Sequence, residues 1–272
     1  MERKTFIQTF VLGSGFVMVN PVKLLSNEPD KNTIRISMIY NNMGKDPDLK
    51  SAWGLSVWVE TGKSTLLFDT GGDPKILSKN LDNTHLDINR VSKIFISHRH
   101  WDHLNGLESV LEKHSGNPDV YVVEHALPMI RENYPNAKLI PISSAQAIET
   151  NVWSTGELPA EYRKNELWEH SMILVQDDSL VLLTGCSHPG IVEITKKTKQ
   201  LFPEKTIELI AGGFHLGSKS KDEIKEISEA LMKLDVQKIA PSHCTGDKAV
   251  NYFKNSWGER FLALNLGDAY KT

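Results

Sequence analysis

The run Ile94-Phe95-Ile96-Ser97-His98-Arg99-His100-Trp101-Asp102-His103 constrains this chain more than any other stretch. A short apolar segment, β-branched and aromatic, stops at a polar break and reads as the end of a buried strand. Four potential metal ligands follow within six residues. Side chains two apart on an extended backbone share a face, so His98 and His100 can point at one ion. Asp102 and His103 come as the chain leaves the strand and aim at a neighbouring position. Imidazole and carboxylate donors suit zinc, and also iron or manganese where oxygen ligands are added. A solvated polar loop can hold histidines, but three of them with an Asp at H-x-H-x-D-H spacing point to metal.

The 272 residues, 40% hydrophobic and 24% charged, are enough to bury a sizeable core. No segment is long and apolar enough to span a bilayer. A net charge of −3 with no basic stripe argues against a nucleic-acid partner and leaves a small molecule as the expected one. Two cysteines, Cys186 and Cys244, do not make a disulfide framework.

At the N-terminus, Arg3-Lys4, a mildly apolar run to Val22 and the polar Ser26-Asn27-Glu28-Pro29-Asp30 follow the plan of an export signal over residues 1–26. Thr5-Phe6-Ile7 after the basic pair is like a twin-arginine signal with Lys for the second Arg. No A-x-A-like cleavage site is evident, and no Cys near Ser26 could carry a lipid anchor. The expectation is a periplasmic or exported protein whose remaining residues, 27–272, form one domain. An ordinary N-terminal helix or strand, and a cytoplasmic protein, is the alternative.

Alternation and apolar runs predict strands over 34–40, 54–60, 64–69, 93–97, 119–123, 138–142, 171–175, 180–183, 206–210, 238–240 and 261–264. Helical spacing predicts helices over 74–81, 104–114, 125–132, 190–201, 221–234 and 247–257. Asp73 and Pro74 have the chemistry of an N-cap and a first helical position. Residues 145–157 read as strand and turn, and the polar, aromatic segment 158–170 as a loop that shapes a pocket.

Three more strands lead into a polar cluster with a histidine: Thr184-Gly185-Cys186-Ser187-His188, Ala211-Gly212-Gly213-Phe214-His215 and Pro241-Ser242-His243-Cys244-Thr245-Gly246. Loops after buried strands are where a rigid scaffold can present reactive side chains. One such cluster would be weak evidence; three beside H-x-H-x-D-H form a constellation.

From Asp69 to His243 these residues resemble the metallo-β-lactamase-fold superfamily, whose signature motif His98, His100, Asp102 and His103 match position for position. The later clusters, with Gly54-Leu55-Ser56 and Glu60, resemble its branch of dihydropterin–ribofuranosylaminobenzene-phosphate synthase-like proteins, although Trp53 stands where that branch has His. The resemblance implies an α/β protein, a four-layer αββα sandwich with metals at one edge between two sheets. It implies two divalent ions, zinc by the histidine-rich ligation with manganese or iron also fitting. His98, His100 and His188 would hold one, with His170 the other candidate for the third place, and Asp102, His103 and His243 the second. Three protein ligands and an open position are the catalytic pattern.

Asp69 matches the carboxylate that supports the metal loop from behind. Asp102 and His215 are the catalytic candidates, Asp102 orienting the nucleophile and His215 contacting substrate. A structural imidazole is the alternative for His215. Trp53, Trp101 and Trp168 are candidates to line the pocket, or simply packing. Cys186 departs from the family's pattern, standing where many superfamily hydrolases have an Asp that bridges both metals. It is either a metal-adjacent thiol or a small buried residue, and a disulfide with Cys244 is compatible with export.

The implied activity is hydrolysis of a small ester, lactone or phosphate. Two other readings stand: a pterin-related synthase like the branch's namesake, and a metal-bound binding or sensor protein without turnover.

Overall fold

The structure, a computed structural model, describes residues 33–44 and 46–272. The export-signal expectation for residues 1–26 lies outside them. Arg35–Asn41 (β1), Leu55–Glu60 (β2) and Thr65–Phe68 (β3) form an antiparallel meander. Pro74–Thr84 (α1) follows, its first turn capped by Asp73, whose carboxylate accepts from the Lys75 and Ile76 N–H groups. Val91–Phe95 (β4), Trp101–Leu104 (α2), Leu107–Lys113 (α3), Asp119–Val123 (β5), Leu127–Asn133 (α4) and Lys138–Ile142 (β6) complete the first half. Here β3, β4, β5 and β6 run parallel.

The second half opens with Gln146–Glu149 (β7), Val152–Ser154 (β8), Leu158–Tyr162 (β9), Asn165–Glu169 (β10), Met172–Val175 (β11) and Ser179–Thr184 (β12). It continues with Ile191–Leu201 (α5), Thr206–Gly213 (β13), Lys221–Lys233 (α6), Val236–Ser242 (β14) and Asp247–Trp257 (α7). Ala269–Lys271 (β15) then returns to pair with β1.

The strands make a seven-stranded sheet, β15-β1-β2-β3-β4-β5-β6, and a six-stranded sheet, β14-β13-β12-β11-β8-β7. Three apolar clusters define the layers. One, with Ile36, Val57, Phe68 and Phe95 from the first sheet and Met172, Val181, Leu183 and Leu209 from the second, fills the space between sheets. A second joins the outer face of the first sheet to α1, α3 and α4 through residues such as Trp58, Leu77, Val110 and Ile130. The third packs α5, α6 and α7 on the outer face of the second through Ile194, Ile224, Phe253 and Trp257. This is the four-layer αββα arrangement. Buried on both faces, the central strands are near-continuously apolar, as a covered sheet requires. Among the described residues no helix is long and apolar enough to cross a membrane.

Three elements differ from the sequence reading. Residues 104–114 are not one helix but α2 and α3, broken at Gly106. A Cβ on Gly106 would lie 1.8 Å from the Thr70 carbonyl oxygen and 2.9 Å from Leu77, so close packing on the β3–α1 loop sets the break. Segment 158–170 is not a loop but the hairpin β9–β10. Its turn holds Arg163 and Lys164 at φ 51° and 65°, a mirror-image turn made without the Asn-Gly that usually announces one. Residues 261–264 make only a bridge from Phe261 to Ile239, and the closing strand is β15.

Because the contact at Gly106 is to backbone on a buried loop, overpacking there should cost about 1–3 kcal/mol. Gly106→Ala is expected to lower the unfolding free energy by that amount, seen as a lower denaturant midpoint at unchanged slope, and an unchanged midpoint would refute the packing account.

Candidate metal centre

The parallel strands of both sheets end on one side of the molecule, where ligands gather in α/β sheets. Asp69 follows β3, Ser97 and His98 follow β4, Cys186 to His188 follow β12, His215 follows β13 and His243 follows β14. Asp102 and His103 lie on the short helix α2. Residues 88 positions apart, such as His100 and His188, and 140 apart, such as His103 and His243, thus meet because strand ends meet.

The imidazoles converge. His98 Nε2 lies 3.0 Å from His100 Nδ1, which lies 3.2 Å from His188 Nε2. His103 Nε2 lies 3.2 Å from His243 Nε2, and Asp102 Oδ2 is 3.3 Å from the latter and 3.9 Å from the former. Ligands about 2.0–2.1 Å from a tetrahedral ion stand roughly 3.3 Å from one another. Both groups, His98/His100/His188 and Asp102/His103/His243, therefore have the spacing and donor chemistry to hold a divalent cation each.

Hydrogen bonds behind the rings fix which nitrogen faces inward. His98 Nδ1 meets Ser97 Oγ at 2.9 Å, His103 Nδ1 meets Asp69 Oδ2 at 2.7 Å, and His243 Nδ1 meets Asn42 Oδ1 at 2.7 Å. An Nδ1–H donated outward leaves the Nε2 lone pair for a metal. Asp69 is the hub: its carboxylate also accepts from the Ser97 N–H and Oγ–H, both at 2.7 Å.

Electrostatics follow from burial. Burial, with the neighbouring imidazoles, holds His98 well below its ordinary pKa. Burial also takes His100 down to about 4 and His188 to about 2, so these rings are neutral and able to ligate. For His103 burial acts downward too, but the Asp69 carboxylate outweighs it and raises the ring to about 9. A charge that favours an imidazolium favours equally an imidazole bound to a cation. Burial pushes Asp102 up, yet its bond to His243 and the charge of His103 leave it below the usual carboxylate range.

A cavity of about 400 Å³ opens over the centre, lined in part by Trp53, Trp101, Tyr162, Arg163, His188 and His215. Trp53 does more than line it: its Nε1–H donates to Asp102 Oδ2 at 2.8 Å, in the place where the resembling branch has His. His215 is beside the centre, its ring 4.4 Å from that of His188. Cys186 is a small buried residue whose Sγ also lies 3.2 Å from His103 Nε2, beside a candidate ligand. Burial and the Cys244 thiol push it well above its ordinary pKa, and both cysteines are free.

His170 is elsewhere. It is buried, 2.8 Å from the Ile96 carbonyl and stacked on Phe95, a structural imidazole. Trp168 does not line the cavity: alternation along β10 turns it the other way, to stack on His125 at 4.0 Å. Tyr162, at the hairpin tip, takes the position over the centre, 4.8 Å from His100 and 5.1 Å from His188. Asn42 and Glu169 had no local signal in the sequence. Glu169 is buried, and its carboxylate accepts from the N–H groups of Cys186, Ser187 and His188 at 2.9, 2.8 and 2.8 Å. Burial raises it to about 7 against those three bonds.

Residues 54–191 match the sequence profile of the metallo-beta-lactamase superfamily, and the chain belongs to that superfamily. Over 91% of its length and all of the relative's, it is 26% identical to the 7,8-dihydropterin-6-methyl-4-(beta-D-ribofuranosyl)-aminobenzene-5'-phosphate synthase of Methanocaldococcus jannaschii. Among solved structures it resembles Tm1679, described as a metal-dependent hydrolase of the beta-lactamase superfamily, with a TM-score of 0.72 and 27% identity. That match covers 88% of this chain and 98% of the other. YhfI of Bacillus subtilis, a metallo-beta-lactamase fold protein 13% identical, shares the fold at a TM-score of 0.67 over 89% of this chain and all of its own.

Losing one partner behind a ligating His typically costs 10–100-fold in metal affinity. Asp69→Asn, which turns an amide donor toward donors, is expected to weaken zinc binding by about that factor in equilibrium dialysis. Wild-type affinity in that variant would remove Asp69 from this role.

Proposed function

We propose that the protein is a binuclear metal-dependent hydrolase acting on a small ester, lactone or phosphate compound. The observation that carries this reading is the pair of three-donor groups, side by side beneath one cavity. Nitrogen-dominated donor sets favour zinc. A pair of divalent ions supplies an activated water nucleophile and stabilises the developing oxyanion.

The chain's own residues supply the rest. Trp53 fixes the rotation of the Asp102 carboxylate, leaving Asp102 to orient the attacking water. His215, at the cavity wall, contacts the substrate. Among the described residues, Arg163 is the basic side chain that lines the cavity, and its guanidinium stacks over Tyr162 at 5.2 Å. A guanidinium there suits a substrate bearing phosphate or carboxylate.

The full-length match to the Methanocaldococcus jannaschii synthase supports a second reading, condensation of a pterin precursor with a ribosyl-aminobenzene phosphate. Metal analysis with a screen of esters, lactones and phosphoesters separates the two. Under the first reading, turnover of a simple ester or phosphoester disappears on chelation and returns with zinc. A purified, metal-loaded chain that hydrolyses none of them, yet joins the two synthase substrates, would establish the second.

Within the hydrolase reading, Asp102→Asn should reduce kcat by about 10²-fold or more with little change in KM; parallel losses in both would contradict an orienting role. Arg163→Ala should raise KM for anionic substrates and leave neutral esters unaffected, which a paired kinetic series would check.

A further inference from the structure

His98, His103 and His243 are each held through Nδ1 by a side chain behind them. Among the described residues His188 has no such partner. Its ring reaches His100 from a loop whose backbone must therefore do the aiming. That loop is unusual: Ser187 sits at φ 60°, in the left-handed region. The turn directs three successive N–H groups, of Cys186, Ser187 and His188, toward one point, a concavity that suits an anion. The anion is built in. Glu169, the last residue of β10, places its carboxylate there, Oε1 accepting from Cys186 and Ser187 and Oε2 from His188.

A carboxylate buried to 1% exposure is costly unless its bonds are well made. A packing role alone would be served by any apolar side chain of that size. A Cβ on Gly185, immediately before the loop, would lie 2.1 Å from Ser97 Oγ and 3.2 Å from His98 Nδ1. The loop thus starts in direct contact with the other ligand-bearing segment, and a small turn of its backbone would carry His188 off the centre.

We propose that Glu169 is the positioning residue of the His98/His100/His188 site, setting the place of His188 through the backbone as Asp69 sets that of His103 through the ring. The inference rests on the two-ion reading above. It makes β10 part of the metal centre: Glu169 secures the ligand loop at one end of the hairpin, and Tyr162 packs on His100 and His188 at the other.

Glu169→Gln is the test, because it keeps size and can keep the two bonds at Oε1 while turning an amide donor against the His188 N–H. Wild type and variant are dialysed against zinc, and bound metal per chain is counted by mass spectrometry. Two ions per wild-type chain are expected, with one ion in the variant weakened by about 10–100-fold and the other retained. Cobalt-substituted samples should lose the absorption of one site only. Two ions of wild-type affinity in the variant would overturn the proposal while leaving the two-ion reading intact. A wild type that binds no metal would overturn both.

Amide exchange on the wild-type chain gives a measurement that does not depend on the variant folding. The Cys186, Ser187 and His188 amides should remain protected after chelation, because the carboxylate rather than the ion holds them. Free exchange of all three on chelation would equally overturn the proposal.

Discussion

The structure of the candidate metal centre depends first on Asp69. Every polar group of this residue is engaged: its N–H bonds the Phe95 carbonyl at 2.8 Å, its carbonyl accepts from Ser56 Oγ at 2.7 Å, and its carboxylate takes Ser97 twice and His103 once. It therefore ties the ends of β3 and β4 to α2 before any ion is considered. Bonds to a charged acceptor contribute about 1.5–3 kcal/mol each, which offsets both the burial of the carboxylate and the left-handed backbone at φ 56°. His98 feels the same anchor indirectly, since its Nδ1 bonds the Ser97 hydroxyl that donates to Asp69.

Strain is concentrated where the ligands are. Of the non-glycine residues with positive φ, Asp69, Ser187, His215 and His243 all stand at ends of parallel strands around the centre. Each such conformation costs roughly 1–2 kcal/mol for an L-residue. An extended strand ends with its side chains alternating across the sheet; a left-handed residue turns the chain sharply and aims a side chain inward from the sheet edge. The hydrogen bonds behind the ligands hold these turns in place, so the centre is organised by the protein and not only by the ions it would bind.

Much of this was legible in the sequence. His98 to His103, with the apolar strand before them, specify a candidate metal loop, and their side chains do converge, because spacing and residue type act locally. The three strand-Gly-His clusters identify the other contributors for the same reason, and apolar runs place the covered sheets. What escaped is what depends on the partner surface. The break at Gly106 is set by the Thr70 carbonyl, and the β9–β10 hairpin by a turn whose Arg-Lys pair carries no turn signature. Trp168 was assigned to the pocket by its neighbourhood in sequence, but strand alternation, invisible while 158–170 read as a loop, points it at His125. Asn42 reaches His243 across 201 positions, a pairing that no local pattern encodes.

Trp53 and Cys186, the two departures from the family's pattern, become intelligible together. At residue 53 an indole stands in place of an imidazole, and its single N–H is spent on Asp102, so it steers a candidate ligand without adding one. At residue 186 a thiol replaces a carboxylate, and its backbone N–H is one of the three held by Glu169. A buried carboxylate does stand nearby, one layer back behind the loop, where Glu169 accepts from the N–H groups of Cys186, Ser187 and His188. Both positions thus place a polar group against the candidate ligand residues rather than among them. The candidate ligand groups keep their close spacing, while the space above them is left to Trp53, Tyr162, Arg163 and His215, side chains that line the cavity.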